Sequence, residues 1–295
     1  MSAFLLKLIA LLAMIVDHTG VVYQPLFDVT LFRSIGRIAF PIFLFFIAEG
    51  CRRTSNIGLY MMRLAVFALI SELPFDFAMA GYKGFSYNIY NPNSYNLMEH
   101  QNVFFTFFLG VLCVYLYQKF NFICVYLYKL MDEYKQWFYV VLIPAVVLFL
   151  VIISCIIYLG DRFNTDYGSA GVLLVFILYI LPYGRQEAGK PLQMSAMGKF
   201  LRIAVLFGLM LYLYIFQMIN IEAILFLLNT GGLQALYELY PVKLMLFGCF
   251  SLLLIGFYNN KRGRAQRWLF YLAYPLHLFI LGIIRFLYIF PKVYN

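Results

Sequence analysis

Charged residues are scarce in this chain, and that scarcity indicates its class. Only 12% of the 295 residues are Asp, Glu, Lys or Arg, whereas 64% are hydrophobic. Soluble domains average about 25% charged and about 45–50% apolar residues. The composition therefore excludes an ordinary soluble domain. It predicts an all-α, polytopic bundle of transmembrane helices that forms a single integral-membrane domain over residues 1–295.

Cysteine is also sparse and shows no metal-binding or redox spacing. The five cysteines are odd in number, include no C-x-x-C pair and lie in or beside apolar runs. We interpret them as small hydrophobic residues of the core, and we expect no metal site in this protein.

Acidic residues are outnumbered, with 13 Asp and Glu against 22 Lys and Arg, and the formal net charge is +9. This excess does not indicate a nucleic-acid partner, because the cations lie between apolar runs, as membrane topology requires. They concentrate in alternate connections, which predicts a multi-pass protein of the cell membrane with a cytoplasmic N-terminus. No small-residue cleavage site follows the first apolar run, so we expect a retained helix rather than a signal peptide.

Apolar runs of sufficient length predict about nine spans, within a range of about eight to ten. They cover residues 4–24, 36–51, 57–79, 102–118, 137–159, 167–183, 199–220, 241–258 and 268–289. Residues 121–131 are too few to span a bilayer, and either lie in its interface or lengthen the fourth helix. Residues 221–239 contain Gly231-Gly232 and indicate a broken or re-entrant stretch.

Ionisable side chains within the apolar runs are the clearest functional signal. A charge near the bilayer centre costs at least about 2.5–3.5 kcal/mol, so such residues usually serve function or are paired. Asp17 and His18 lie about 20 Å along the first helix. Polar residues of other helices fall at the same outer level, namely Arg37, Glu72, Asp76, Asn102, Thr106, Asp166 and Tyr167. A helix bundle brings such residues to one pocket.

The expected partner of His18 comes from another helix. Adjacent residues on a helix do not face each other, so Asp17 and His18 are not expected to form a dyad. Glu72 and Asp76 share a face, and we expect one of these carboxylates to orient His18. Pro74 between them predicts a kink that bares backbone carbonyls.

The last predicted span and the loop before it form a second polar region. Tyr274 and His277 are three residues apart on one face, near mid-membrane and beside Pro275. The preceding cytoplasmic loop suits the binding of phosphate groups, because it combines cations with a glycine. Its residues are Tyr258, Asn259, Asn260, Lys261, Arg262, Gly263 and Arg264.

Each of these patterns also has a structural interpretation. Asp17 and Arg37 can form an ion pair. Asp76 and Asp166 can extend to water at the membrane surface, and the basic loop can serve topology alone. His277 can be a hydrogen-bonded core histidine at a kink or can line a path for the donor.

Motifs along nearly the whole chain carry a resemblance to a known family. They are Lys7-Leu8-Ile9-Ala10, Asp17-His18-Thr19-Gly20, Gly36-Arg37-Ile38-Ala39-Phe40-Pro41, Ala48-Glu49-Gly50, Arg63, Ser71-Glu72-Leu73-Pro74-Phe75-Asp76, Asn102-Val103-Phe104-Phe105-Thr106, Asp166-Tyr167-Gly168, Tyr258-Asn259, Lys261-Arg262-Gly263 and Tyr274-Pro275-Leu276-His277. The chain resembles the TraX family of conjugation-associated inner-membrane proteins. It departs from the family at Asn260, where glycine is usual, and in the loop 81–101.

The resemblance implies an activity and a set of site residues. The founding TraX protein acetylates the N-terminal amine of a conjugative pilin, and the family is similar to acyltransferase-3 proteins, in which a histidine matching His18 is catalytic. We therefore expect catalysis by His18, Asp17, Glu72, Asp76 and Arg37. We expect the donor substrate acetyl-CoA at Lys261, Arg262, Arg264, Tyr258, Asn259, Tyr274 and His277. We expect the acceptor at Asn102, Thr106, Asp166, Tyr167, Glu49 and Arg63.

The leading hypothesis is an acetyltransferase embedded in the lipid bilayer. It would take the acetyl group from cytoplasmic acetyl-CoA and transfer it to an extracytoplasmic acceptor. The acceptor is the amine of a pilin-like peptide, or alternatively a glycan or small molecule. An amine must lose a proton as it attacks a thioester, and histidine is a suitable base. A proton-coupled transporter would also bury histidine and carboxylates, but we find no internal repeat of the kind such proteins usually contain. A scaffold protein would need no buried histidine.

Overall fold

The computed structural model describes residues 1–23, 29–79, 100–131, 134–184, 193–216 and 240–289, and these residues are largely helical. The helices are α1 Ala3–Tyr23, α2 Thr30–Gly36, α3 Ala39–Arg53, α4 Ile57–Met79, α5 Val103–Leu130, α6 Lys135–Arg162, α7 Gly168–Ile180, α8 Ala196–Leu211, α9 Tyr240–Gly256 and α10 Arg267–Ile284. A π-helical turn extends α8 over Tyr212–Phe216, and another extends α10 over Arg285–Ile289. The prediction of an all-α fold is confirmed.

Seven of the described helical segments are long and apolar enough to cross a membrane, and two shorter apolar helices accompany them. The seven are Ala3–Tyr23, Thr30–Arg53, Ile57–Met79, Val103–Leu130, Trp137–Arg162, Ala196–Tyr214 and Trp268–Leu287. The two shorter helices are Gly168–Ile180 and Pro241–Gly256. Together they fall at the nine predicted positions, and the protein is a polytopic membrane protein.

The second candidate span starts earlier than the predicted range 36–51. It begins at Thr30, and α2 and α3 are separated only at Arg37 and Ile38. The backbone N–H groups of those two residues donate to carbonyls three positions back, at 3.2 and 3.1 Å. The break is therefore one tightened turn, which lets the helical path continue through residues that the sequence pattern assigned to a connection.

Two predictions about local structure can be compared with the described helices. Residues 121–131 mostly belong to α5, which ends at Leu130. They therefore lengthen the fourth span, which was one of the two predicted alternatives. The expected kink at Pro74 does not interrupt α4, which continues to Met79. The re-entrant stretch predicted for residues 221–239 lies outside the described residues.

The chain divides into two compact units. The first contains Met1–Phe46, Leu73–Ile89 and Leu181–Asn295, and the second contains Ile47–Glu72 and Tyr90–Ile180. Helices α3 and α4 are each divided between the two units. The expectation of a single membrane domain over residues 1–295 stays a prediction.

In the first unit, α1 packs against α2 and α10, while α9 packs against α2 and α8. Phe4 and Lys7 on α1 contact Phe270 on α10, and His18, later on α1, contacts His277, later on α10. Early residues of α1 contact early residues of α10, and late residues contact late residues, so the two helices run in the same direction. Helices α1 and α10 are therefore parallel, which limits how often the chain crosses the membrane between them.

In the second unit, α5, α6 and α7 pack against one another around a small apolar core. The core consists of Leu109, Cys113, Ile153, Ile156 and Val172. A Cβ added at Gly110 would lie 2.5 Å from the Cβ of Val175, so glycine permits the close approach of α5 and α7. The outer side of α6 exposes apolar side chains, as expected for a surface that faces lipid.

Candidate functional site

Two histidines from α1 and α10 meet in the first unit. His18 Nδ1 lies 2.7 Å from His277 Nε2, which is hydrogen-bond distance. The ring planes differ by only 3°, yet the ring centroids are 5.0 Å apart. So short a contact between nitrogens at that centroid separation places the rings edge to edge, with the hydrogen bond close to their common plane.

The carbonyl of Ala273 determines the direction of this hydrogen bond. It lies 2.7 Å from His277 Nδ1 and can only accept, so His277 Nδ1 carries the proton and donates. In a neutral His277, Nε2 is then the acceptor, and His18 Nδ1 must be the donor. In a neutral His18, the lone pair is left on Nε2. The chain of hydrogen bonds therefore fixes the tautomer in which His18 Nε2 can act as a base.

Tyr274 packs against both imidazoles. Its ring centroid is 5.9 Å from that of His18 and 5.6 Å from that of His277, with near-perpendicular planes in both pairs. Only 3% of Tyr274 is exposed, and His277 is also buried. Pro275 lies between them without ending α10, so both side chains remain on one face, as predicted. The packed tyrosine ring restricts the rotation of the two imidazole rings.

Asp17 binds two arginines of the first unit. Its Oδ2 accepts from Arg33 Nη1 at 2.8 Å, and its Oδ1 accepts from Arg37 Nη2 at 2.9 Å. A Cβ at Gly36 would lie 2.2 Å from Asp17 Oδ1, so the contact with α2 requires glycine. Asp17 and His18 do not form a dyad, and the ion pair of Asp17 with Arg37 is formed. Two guanidinium groups around one carboxylate leave an excess of positive charge.

Glu72 and Asn102 meet in the second unit. Asn102 donates from Nδ2 to Glu72 Oε2 and, at 2.8 Å, to the carbonyl of Ala68. Its Oδ1 accepts from Phe104 N at 3.0 Å and so caps α5. Both Glu72 and Asn102 are buried. The sequence placed these residues at one level, and within this unit the structure brings them together.

Two buried hydroxyl groups lie on the same helices as this pair. Ser71 precedes Glu72 on α4, and Thr106 lies one turn after Asn102 on α5, and both are fully buried. Neither hydroxyl oxygen has a hydrogen-bond partner within the described part of the chain. Buried polar groups normally have partners, so these two hydroxyls are unusual.

Other residues expected to bind the acceptor have local partners in the second unit. His100 Nε2 lies 3.5 Å from Asp166 Oδ1, next to the paired backbones of Gln101 and Thr165. Glu49 accepts from Arg53 Nε on the next turn of α3. The guanidinium of Arg63 lies 5.8 Å from the ring centroid of Tyr60. Tyr167 directly precedes α7. Their roles in binding stay predictions.

A carboxylate was the expected partner that orients His18, but the structure places the imidazole of His277 against Nδ1. Glu72 belongs to the second unit, so its action on His18 stays a prediction, as does that of Asp76. His277 was identified from the sequence only as a residue of the donor path or the core. The spacing of Tyr274 and His277 on one face was the available signal, but it did not reveal which helix they meet.

The basic loop is fastened to the beginning of α1. The backbone N–H groups of Ala3 and Phe4 donate to the carbonyls of Lys261 and Arg262, at 2.9 and 3.1 Å. Tyr258 is 2% exposed and packs edge-on against two phenylalanine rings of α3, whereas the side chains of Lys261, Arg262 and Arg264 are exposed. Asn259 Oδ1 accepts from Lys261 N at 3.1 Å. The loop is therefore ordered while its cations remain accessible.

The departure from the family at Asn260 has a conformational explanation. Asn260 has φ of 61° and Gly263 has φ of +72°, and both values lie in the left-handed region that favours glycine. Asparagine tolerates this region better than most residues. Its side-chain oxygen also accepts from Met194 N at 3.1 Å. Asn260 therefore occupies the conformation that a glycine would adopt there.

Glu72→Gln tests whether the buried carboxylate takes part in chemistry. The change preserves shape and removes the charge that Asn102 contacts. If Glu72 tunes the base, we expect kcat for acetyl transfer to fall by roughly 10²-fold or more. The measurement is the initial rate at saturating donor, expressed per amount of correctly folded protein. A lower yield with unchanged specific activity would show that Glu72 is structural.

The fold and the histidine pair define a polytopic, all-α membrane protein with buried polar chemistry. A family model described as TraX protein matches residues 2–285, and the chain belongs to this family. The probable fimbrial assembly protein FimC, serogroup H1, of Dichelobacter nodosus is 30% identical over 115 residues. That match covers 38% of this chain and 45% of the relative, less than half of each. No solved structure matches the chain.

Proposed function

We propose that this protein is a membrane acetyltransferase that moves an acetyl group from cytoplasmic acetyl-CoA to an extracytoplasmic acceptor. The observation that carries the proposal is the hydrogen-bonded pair of His18 and His277, which leaves His18 Nε2 as the base. Membership of the TraX family supports the acetyl donor. An ionisable residue within a membrane helix is also costly to maintain without a function.

The proposed reaction is a direct transfer between a thioester and an amine. The acceptor nitrogen attacks the thioester carbon while His18 Nε2 takes its proton, so a carbon–nitrogen bond forms. The carbon–sulfur bond then breaks, and the imidazolium returns the proton to the departing thiolate of coenzyme A. The excess positive charge of Arg33 and Arg37 beside Asp17 suits stabilisation of the oxyanion.

The proposed arrangement in the membrane has nine spans and a cytoplasmic N-terminus. Parallel α1 and α10 require an odd number of crossings from the first helix to the last, which agrees with nine and disfavours eight or ten. The alternating Lys and Arg loops predict that the loop 258–267 is inside. The donor then enters from the cytoplasm, and the acceptor approaches from the outside.

The proposed acceptor is the N-terminal amine of a pilin-like peptide. The FimC relative is named as a probable fimbrial assembly protein, and the resemblance to the TraX family implies acetylation of a pilin amine. A free α-amino group has a pKa of about 7.7–8.0, so a base that removes a proton accelerates its attack at neutral pH. Glycans and small hydroxyl compounds are the competing acceptors for the same chemistry.

The proposal is tested by incubating purified protein in lipid with labelled acetyl-CoA and candidate acceptors. A pilin-derived peptide with a free N-terminus is compared with the same peptide already acetylated. We expect label on the free amine and none on the blocked peptide. If label instead enters a glycan fraction, the acceptor assignment is wrong. If no acceptor in a membrane extract is labelled and acetyl-CoA does not bind, the enzyme assignment is wrong.

Membrane orientation provides a separate prediction. Ser94→Cys and Gln266→Cys are made in a background that lacks the five native cysteines. An impermeant thiol reagent applied outside intact cells should label Cys at position 94 and not at position 266. Permeabilised cells serve as the control that both sites can react. The reverse labelling would exchange the donor and acceptor sides.

A further inference from the structure

Lys7 is a cation within α1 for which the chemistry above has no role. It is half-buried, and its Nζ lies 4.7 Å from the ring centroid of Phe270 and 5.8 Å from that of Phe46. Within the described residues, no carboxylate lies within ion-pair distance of Lys7. Aromatic faces attract an ammonium group but do not neutralise it. The site therefore holds a partly desolvated positive charge.

The backbone of a second cation, Arg262, is hydrogen-bonded to Phe4, about one turn before Lys7 on α1. The loop that carries Arg262 is bonded to the first turn of α1, and the charge of Arg262 acts unfavourably on that of Lys7. A Cβ at Gly263 would lie 2.7 Å from Ser2 Oγ, so the left-handed glycine allows this close approach. Like charges kept together at an electrostatic cost suit a multivalent anion, which would remove the repulsion.

The position of Lys7 on α1 connects this pair to the histidines. Lys7 and His18 are eleven residues apart, which is close to three turns, so they share a side of the helix about 16 Å apart. On α10, Phe270 and His277 are seven residues apart, and they also share a face. Phe270 meets Lys7 and His277 meets His18. One seam between α1 and α10 therefore has a cation at one end and the base at the other.

We propose that Lys7 and Arg262 bind a phosphate group of the donor, with the thioester end directed along this seam toward His18. The inference rests on the proposed function and adds Lys7 to the donor site. It also separates Arg262, whose charge acts on Lys7, from Lys261 and Arg264 in the same exposed loop. An anionic lipid headgroup offers the same phosphate chemistry, and the test distinguishes the two sources.

The test compares Lys7→Gln with wild type and with Lys119→Gln. Lys119 is a suitable control because its Nζ also lies near an aromatic ring, 5.6 Å from the Tyr115 centroid, on α5 of the other unit. Full-length purified proteins are assayed for coenzyme A binding and for transfer with acetyl-CoA or acetyl-pantetheine. Lys7→Gln should weaken coenzyme A binding and raise KM for acetyl-CoA about tenfold or more, with kcat unchanged. With acetyl-pantetheine, which lacks phosphate, the variant should match wild type.

Thermal unfolding excludes a purely structural role for Lys7. Without ligand, Lys7→Gln should have a Tm equal to or above that of wild type, because an uncompensated charge is removed. Coenzyme A should raise the Tm of wild type and of Lys119→Gln more than that of Lys7→Gln. Lys7→Arg, which keeps the charge, should retain most of the binding. A variant that loses both donors equally, or whose ligand-free Tm falls, would overturn the proposal.

A lipid arm completes the test. The same proteins are placed in nanodiscs of phosphatidylcholine with or without phosphatidylglycerol. If Lys7→Gln binds coenzyme A as wild type does but loses a stabilisation by phosphatidylglycerol, the site belongs to lipid and the donor assignment is wrong. If wild type transfers acetyl groups while Lys7→Gln shows no change in any assay, this inference fails and the proposed function stands. If wild type neither binds coenzyme A nor transfers acetyl groups, both fail.

Discussion

His18→Ala is expected to lower kcat for acetyl transfer by at least about 10²-fold, since a positioned base contributes about 10²–10⁴ to a rate. The variant retains Lys7, Arg262 and the basic loop, so its affinity for acetyl-CoA should stay close to that of wild type. The measurement combines donor binding with initial rates at saturating donor and acceptor. A large loss of rate with normal binding identifies His18 as a group that acts in the chemical step.

Thr19→Ala is the matched control for this variant. Thr19 is the next residue of α1, and its hydroxyl donates 2.7 Å to the carbonyl of Ile15 on the same helix. Its removal perturbs the same turn without altering the histidine pair, so transfer should remain near the wild-type rate. Full turnover by His18→Ala would end the proposal that His18 is the base. Equal losses in both variants would attribute the effect to the helix rather than to the imidazole.

His277 is expected to act through His18, as the residue that fixes its tautomer. His277→Phe keeps an aromatic ring but removes the acceptor for His18 Nδ1, so the proton of His18 is no longer held on that nitrogen. Loss of the correct tautomer costs about 10⁴-fold in a serine protease triad, which sets an upper scale. We expect kcat to fall by roughly 10²-fold or more, with little change in KM for the donor. The pH dependence of kcat/KM should also change, because the second imidazole is gone.

His277→Gln distinguishes positioning from packing. A glutamine side-chain oxygen can accept from His18 Nδ1, so this variant should recover part of the activity that His277→Phe loses. Recovery with similar Tm values for both variants would support a hydrogen bond to His18. If His277→Phe retains full activity and the wild-type pH profile, His277 only fills space. If KM rises while kcat is unchanged, His277 lines the donor path, as the sequence first suggested.

The membrane architecture was predictable because it rests on composition and on the length of apolar runs. Runs such as 57–79 determine a span by themselves, and the described helix α4 has those same bounds. The start of the second span was harder to predict. Arg33 lies before the predicted range 36–51, but it forms an ion pair with Asp17 of another helix, so α2 can include it. A partner far along the sequence thus decided a local boundary.

The sequence indicated which buried polar residues are unusual, but not which of them contact one another. The depth of Asp17 and His18 in an apolar run identified both as unusual. Helical geometry also predicted that these adjacent residues do not form a dyad, and in the structure they bind different partners. The contact of His18 with His277 spans most of the chain, and periodicity contains no information about which faces meet. Because a carboxylate was expected beside His18, the imidazole of His277 was not predicted as its partner. Packing between α1 and α10, rather than any motif, creates the pair.

The most direct test of the account uses proteoliposomes with the protein in a single orientation. Labelled acetyl-CoA is enclosed on the side of the 258–267 loop, and a peptide with a free N-terminal amine is supplied on the other side. Label is expected on the outer peptide, and His18→Ala should abolish this label although coenzyme A still binds. Label that appears only when donor and acceptor share a side, or an equal yield with His18→Ala, would contradict it.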